Sequence, residues 1–174
     1  MQRISQIAFA SGDFDASLAD FAGRLGIGPW FELPAIRWSG ARYMGQPCEV
    51  ELRCAFANCQ GMEYELIEQV NDAASIWRHH LDDRPERELF HHNGLRTQDY
   101  EHDAARLTAE GHTEVLTGQT ALGRFSYYTH PGSPGTYLEL LEATPARCGM
   151  FGHVLLHGRD WDGSDPVRPM PVFG

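Results

Sequence analysis

Positive charge is scarce in this chain. Its 174 residues carry 14 basic against 24 acidic side chains, a formal net charge of -10, and the basic residues are scattered rather than grouped. Such a surface is not built for nucleic acid, which needs clustered Lys and Arg against its phosphates; the acidic excess mainly confers solubility. Also missing is any run approaching the roughly 20 apolar residues of a membrane span, and no signal-peptide h-region precedes Asp13. The expectation is a cytoplasmic protein with neither nucleic acid nor membrane as a partner. Cys48, Cys54, Cys59 and Cys148 form no CxxC pair, and Cys54 and Cys59 sit in apolar or strand-like sequence, so buried reduced thiols are expected. Nothing suggests disorder, and the apolar fraction suffices for a core.

What the chain has is one short pattern used twice. Near the start, Gln6-Ile-Ala-Phe-Ala-Ser-Gly-Asp-Phe-Asp-Ala reads as a strand running into an acidic turn and a helix, and the stretch closes on Tyr64-Glu65-Leu66-Ile67-Glu68. Past the midpoint, His92-Asn-Gly-Leu-Arg-Thr-Gln-Asp-Tyr-Glu-His leads to a helix at Ala104 to Leu107, and this copy closes on Leu138-Glu139-Leu140-Leu141-Glu142. Each copy opens on a residue able to bind metal and closes on a carboxylate, so two related halves could bring four ligands to one cup.

The element pattern supports two βαβββ units. In the first, a strand over Arg3 to Ala10 precedes a helix capped by Asp13-Phe14-Asp15, carrying Leu18, Phe21 and Leu25 and ended by Gly26-Ile27-Gly28-Pro29. Strands follow at Trp30 to Leu33, Val50 to Ala57 and Met62 to Ile67, the last two joined by a hairpin at Asn58-Cys59-Gln60-Gly61. Asp72 to Leu81 reads as a linker helix, broken at Arg84-Pro85-Glu86. The second unit repeats the order: a strand at Leu89 to Thr97, a helix at Asp99 to Glu110 stopped by Gly111, then strands near Glu114 to Thr117, Arg124 to Thr129 and Thr136 to Leu141. The divisions are residues 1–86, 87–145 and a Gly- and Pro-rich extension over 146–174 whose role is not legible.

The opening strand with its acidic turn, the His91-His92-Asn93-Gly94-Leu95 segment and the closing Tyr137 to Ala143 resemble the vicinal-oxygen-chelate superfamily, which includes glyoxalase I, methylmalonyl-CoA epimerase, extradiol dioxygenases and the fosfomycin and bleomycin resistance proteins. The resemblance covers roughly the first 145 residues, and its double His and paired modules look most like methylmalonyl-CoA epimerase and the glyoxalase-like proteins. It implies an α+β fold in which two βαβββ modules form curved mixed sheets around a metal-binding cup. It also implies metal ligands at Gln6, Glu65, His92 and Glu139. The family usually has His at the first of these positions, but some glyoxalases I use Gln. Two carboxylates, one imidazole and one amide oxygen suit a divalent ion such as Zn, Mn, Co or Ni, and suit redox iron less well, since the dioxygenases rely on two His and one carboxylate.

Each assignment has a plainer alternative. His92 could be a buried imidazole bonded to a neighbouring strand, with His91 taking its place if the register shifts by one. Glu139 could pair with an Arg across the sheet, although Tyr137 and Leu141 share its face. Glu65 shares its face with Glu63 and Ile67 and could be an ordinary exposed Glu. Gln6 could simply satisfy backbone groups. Among the remaining histidines, His79, His80, His102 and His112 read as solvent-facing, His130 as bordering the cup, and His153 with His157 as a helical pair without a Glu between them.

By resemblance, the chemistry is that of a metal-dependent isomerase, epimerase or lyase: abstraction of a proton next to a carbonyl, with a divalent ion stabilising the enolate. The base role falls to Glu139, with Glu65 as its opposite-face counterpart; a further Glu of the epimerases falls near Glu49 or Glu51. Trp30, Phe31, Trp38, Tyr43, Phe125, Tyr127 and Tyr128 offer aromatic surface for a small-molecule substrate and for the core. The alternatives are a small-molecule binding module of the bleomycin-resistance type, a metal-dependent dioxygenase and a non-catalytic scaffold. A homodimer is compatible with all of them.

Overall fold

The computed structural model describes residues 4–38, 40–81 and 88–173. Its first half runs β1 (Ile4–Ser11), α1 (Phe14–Gly23), β2 (Trp30–Arg37), β3 (Ala41–Tyr43), β4 (Gln46–Cys48), β5 (Glu51–Cys59), β6 (Met62–Gln69) and α2 (Ile76–Leu81). The second runs β7 (Glu88–Thr97), α3 (Tyr100–Ala109), β8 (Thr113–Thr120), β9 (Gly123–Thr129), β10 (Tyr137–Glu142), α4 (Pro145–Gly158) and β11 (Val167–Pro169). The fold is α+β, with a curved, unclosed mixed sheet in the order β11-β2-β5-β6-β1-β7-β10-β9-β8-β3-β4.

The same topology occurs on both sides of a central seam. β1 pairs parallel with β6, which continues antiparallel through β5 to β2; β7 pairs parallel with β10, which continues antiparallel through β9 to β8. β1 and β7 pair antiparallel, which joins the sheets of the two halves into one.

Both crossover helices start on an aspartate, whose side chain accepts a hydrogen bond that the first helical turn cannot satisfy internally. Asp13 accepts from the Ala16 N–H and Asp99 from the His102 N–H, each at 3.2 Å. α1 buries Phe14, Leu18 and Phe21 against Trp30, Ala55 and Leu66, each large side chain contributing roughly 1.5–3 kcal/mol. Leu25, expected on that helix, lies beyond its end and is exposed.

The turn between β5 and β6 is the expected hairpin, tightened to two residues, Gln60 and Gly61, both at positive φ. α2 begins later than expected, where the Ser75 hydroxyl accepts from the Arg78 N–H at 3.1 Å; the expected break at Arg84-Pro85-Glu86 lies outside the described residues. Two features went unread in the sequence. β3 and β4 form a hairpin whose β3 pairs with β8 of the other half, so the curved sheet is tied across its mouth. The extension is not irregular throughout: Thr144 caps and Pro145 starts the helix α4, which packs on β5. The approach is so close at Gly158 that a Cβ there would meet the Asn58 carbonyl oxygen at 2.2 Å. The cysteines are free thiols as expected, but Cys148 is exposed and Cys59 only half-buried.

Candidate metal centre

The ladder places the four candidate ligands around two small residues. On one rung, Gln6 pairs with Gly94 and Gly94 with Glu139; on the next, His92 pairs with Ala8 and Ala8 with Glu65. Directly paired residues project from the same face of a sheet, and so do residues two apart on a strand. Six positions therefore make a grid facing the cup, with donors at its corners and Ala8 and Gly94 in its middle. The small residues leave room: a Cβ at position 94 would stand 2.5 Å from Gln6 Oε1. Alternation alone would send His91 to the opposite face. The β1–β7 register slips beside it, however, as Ala8 pairs with His92 but Phe9 with Phe90. In this bulge His91 is left unpaired, and its ring lies beside that of His92.

All four corner side chains are buried. His92 Nε2 lies 3.2 Å from Glu139 Oε2 and 3.4 Å from Glu65 Oε2. Neither contact is aligned as a hydrogen bond. His92 Nε2, Glu65 Oε2 and Gln6 Oε1 are buried atoms with no hydrogen-bond partner among the described residues. Buried polar atoms are normally satisfied, and three orphans facing one grid have a common resolution in a cation. Glu65, His92 and Glu139 each offer a donor atom within 4.8 Å of the others. The residues present thus fit a divalent ion: two carboxylate oxygens, one imidazole nitrogen and one amide oxygen.

Electrostatics without an ion show how closely these groups are pressed together. Burial raises the Glu65 carboxyl to about 7 although His92 opposes the shift, with Glu139 adding like-charge repulsion. Burial would depress His92, but Glu139 and Glu65 outweigh it and hold the imidazolium to about 9.

A second layer orients the first. His91 Nδ1 lies 2.9 Å from His92 Nδ1, turning Nε2 of His92 toward the carboxylates. Burial, then the neighbouring His92 and His80, keep His91 neutral by pulling its pKa well down. Trp77 stacks on His91 with a ring separation of 5.9 Å. Tyr127, read from sequence only as aromatic surface, is buried and pairs with Glu139 across β9 and β10. Glu63 is buried beside Glu65 and takes an ion pair from Arg96 at 2.9 Å; Phe151 of α4 covers that guanidinium.

Above the grid opens a cavity of about 560 Å³. Gln6, Glu65 and Glu139 line it, with Leu33, Trp38, Leu52, Phe56, Phe125 and Leu141 from the sheet, and Arg147, Met150, Phe151 and residues 170–173 from the extension. Trp38 and Phe125 are the expected aromatics that reach it, whereas Trp30 and Tyr128 are core. Glu49 and Glu51 do not line it; Glu51 pairs with Arg37 at 3.2 Å instead. His130 borders a separate, smaller cavity with His79 and His80, and His153 and His157 pack on Phe31. His80 is buried rather than solvent-facing, with Nε2 2.9 Å from the Phe90 carbonyl oxygen, and His112 is half-buried against His130. Arg147 went unread in the sequence, where its one local signal is its place just after the Thr-Pro cap of α4.

Residues 5–128 match the sequence profile of the Glyoxalase/Bleomycin resistance protein/Dioxygenase superfamily. The chain belongs to this superfamily. Solved superfamily-like structures reproduce the fold. A hypothetical protein from Bacillus halodurans is 18% identical with a TM-score of 0.57, the alignment covering 82% of this chain and 95% of that one. Methylmalonyl-CoA epimerase from Mycobacterium tuberculosis is 15% identical with a TM-score of 0.56, over 83% of this chain and 90% of that one. A mutant 4-hydroxymandelate synthase from Streptomyces coelicolor is 13% identical with a TM-score of 0.51, over 81% of this chain and 48% of that one. No curated protein matches the chain. Among the described residues, no helix of this superfamily member is long and apolar enough to cross a membrane.

Proposed function

We propose that the protein is a metal-dependent isomerase, epimerase or lyase of the glyoxalase type, acting on a small molecule by removing a proton next to a carbonyl. The observation that carries this reading is the convergence of Glu65, His92 and Glu139 on one point of a closed grid, beside an unpartnered Gln6 Oε1. Gln6, Glu65, His92 and Glu139 would hold a divalent ion, which supplies a Lewis acid for the substrate oxygen. The remaining work falls to the chain. The apolar walls exclude water and orient the substrate's carbon over the carboxylates. Glu139 takes the proton at a carboxylate oxygen, and Glu65, the equivalent residue of the other half, returns one from its own. The similarity to methylmalonyl-CoA epimerase supports the reaction class and leaves the substrate open.

The test is proton exchange. Wild-type protein loaded with Zn, Mn, Co or Ni should wash the carbon-bound proton of a true substrate into deuterated solvent, with or without net product. Glu139→Gln should abolish exchange while part of the metal remains, because an amide coordinates but cannot accept a proton at neutral pH. Exchange surviving in Glu139→Gln at the wild-type rate removes Glu139 as the base. If no 2-substituted acyl thioester or hydroxy-ketone exchanges with any of these metals, the cup is better read as a small-molecule binding site of the bleomycin-resistance kind.

A further inference from the structure

The cavity contains one buried cation that the proposed chemistry does not use. Arg147 projects from the first turn of α4 and is 3% exposed. Its Nη1 donates to the Arg124 and Glu142 carbonyl oxygens at 2.8 and 2.6 Å, and its Nη2 to the Gly123 carbonyl oxygen at 3.2 Å. A guanidinium has five N–H donors, so the Nε–H and one Nη2–H make no hydrogen bond among the described residues. Nor, among those residues, does any carboxylate come within salt-bridge distance; Glu142, whose carbonyl oxygen Arg147 clamps, gives its carboxylate to Arg124 instead.

A clamp on carbonyls needs donors rather than an ion pair, and a buried charge is costly unless compensated. Of the acids that act on it, Glu142 is shared with Arg124, and Glu139 is taken up once the grid is occupied. A divalent ion is neutralised by Glu65 and Glu139, while Gln6 and neutral His92 add nothing. Arg147 then faces a cup whose lining is otherwise mostly apolar, with Arg37, Gln119 and Thr120 as its further polar members.

We propose that Arg147 is the anchor for a substrate carboxylate, and that the substrate class of this site is a compact apolar acid with an aromatic or branched body. This rests on the metal reading above for its charge balance. The cup volume of about 560 Å³ is in the range of pockets that enclose drug-sized molecules. Trp38, Phe56, Phe125 and Phe151 offer ring surface to the body, and the two unused N–H groups supply the planar donors that carboxylates take in pairs.

Isothermal titration of the metal-loaded full chain with 3-phenylpropionate and with its neutral amide tests this. The acid should bind at least about tenfold more tightly than the amide, as charge-assisted hydrogen bonds are the stronger kind. In Arg147→Met, at equal metal content, the preference should fall below about threefold with amide affinity little changed. Because Arg147 also clamps backbone, Leu33→Trp serves as a second variant: it fills the cup from β2 and should remove binding of both probes. Equal binding of acid and amide to the wild type overturns the proposal, as does a preference that persists in Arg147→Met or acid binding that survives Leu33→Trp. The readout is separate from turnover. Arg147-dependent acid binding without proton exchange would leave this inference standing and reject the isomerase reading; exchange on neutral substrates with no acid preference would do the reverse.

Discussion

On one side of the seam, β1 brings Gln6 and Ala8 to the grid; on the other, β7 brings His92 and Gly94 to the equivalent places, with Glu65 and Glu139 following in the same register. The backbone repeats and the donors do not. An amide oxygen faces the site from one half and an imidazole nitrogen from the other. The surroundings differ as well. His92 has a second imidazole against its Nδ1, whereas Gln6 Oε1 has no hydrogen-bond partner among the described residues. The comparison teaches that a repeated fold fixes where the candidate ligands stand while each half remains free to set their chemistry.

The largest expected effect comes from breaking the stronger side. His92→Ala should lower divalent-metal affinity by more than about 100-fold, since even partners that only orient a ligand are worth roughly 10–100-fold. Metal content after dialysis, measured by mass spectrometry, checks it; content equal to wild type would place the ion elsewhere. Gln6→Ala should lose less, and Gln6→His, which makes the halves alike, should raise zinc affinity because imidazole suits zinc better than an amide oxygen.

Next in size is a pH effect on chelator-treated protein. Both Glu65, at about 7 against an ordinary 4.5, and His92, at about 9 against an ordinary 6.5, bind protons more tightly when folded. The Glu65 contribution is full below about 4.5 and lost as pH rises through 7; that of His92 is full below about 6.5 and lost through 9. His91, held neutral, opposes this slope below about 6.5, so thermal unfolding midpoints should fall from about pH 7 to pH 9 in the metal-free chain. A flat or rising profile would contradict the electrostatics of the grid.

Substitutions at the middle of the grid sharpen the comparison further. Gly94→Ala places a methyl 2.5 Å from Gln6 Oε1 and 2.9 Å from Gln6 Cβ, so Gln6 should be displaced at a cost of about 1–3 kcal/mol. Ala8→Gly, at the equivalent position, removes a methyl and should cost only about 0.5–1 kcal/mol. Urea denaturation midpoints of the two variants give the contrast, and equal losses would deny the tight approach at Gly94. An effect as small as that at Ala8 is expected at the cover of the cup. Thr144→Ala removes the side chain that accepts from the Arg147 N–H and donates to the Leu122 carbonyl oxygen, which should cost about 1 kcal/mol and loosen α4 in hydrogen exchange before the sheet.

Much of this architecture was legible because it rests on local rules. Asp13 and Asp99 announce helix starts, Gly111 a helix stop and Gln60-Gly61 a hairpin, since caps and positive-φ turns are short-range chemistry. The family resemblance pointed to Glu65 and Glu139, and strand alternation supported only Glu139, which shares its face with Tyr137 and Leu141. The β3–β4 hairpin was not legible, because its three-residue strands are too short for a periodic signal and are stabilised by pairing with β8. Helix α4 was hidden by its glycines, which lower local propensity but permit its close packing on β5.

By itself, then, the sequence determined the order of elements, the repeat and the residue types that close each half, because period, caps and turn residues act over a few positions of the chain. Only the tertiary structure decided that His92 rather than His91 turns its free nitrogen to the carboxylates, through a bulge created by pairing with β1. It also decided that Arg147 is a buried charge at the wall of the cup. Both are consequences of strands and a helix far apart in the chain meeting at one place, where burial and partners, not spacing, set what a side chain can do.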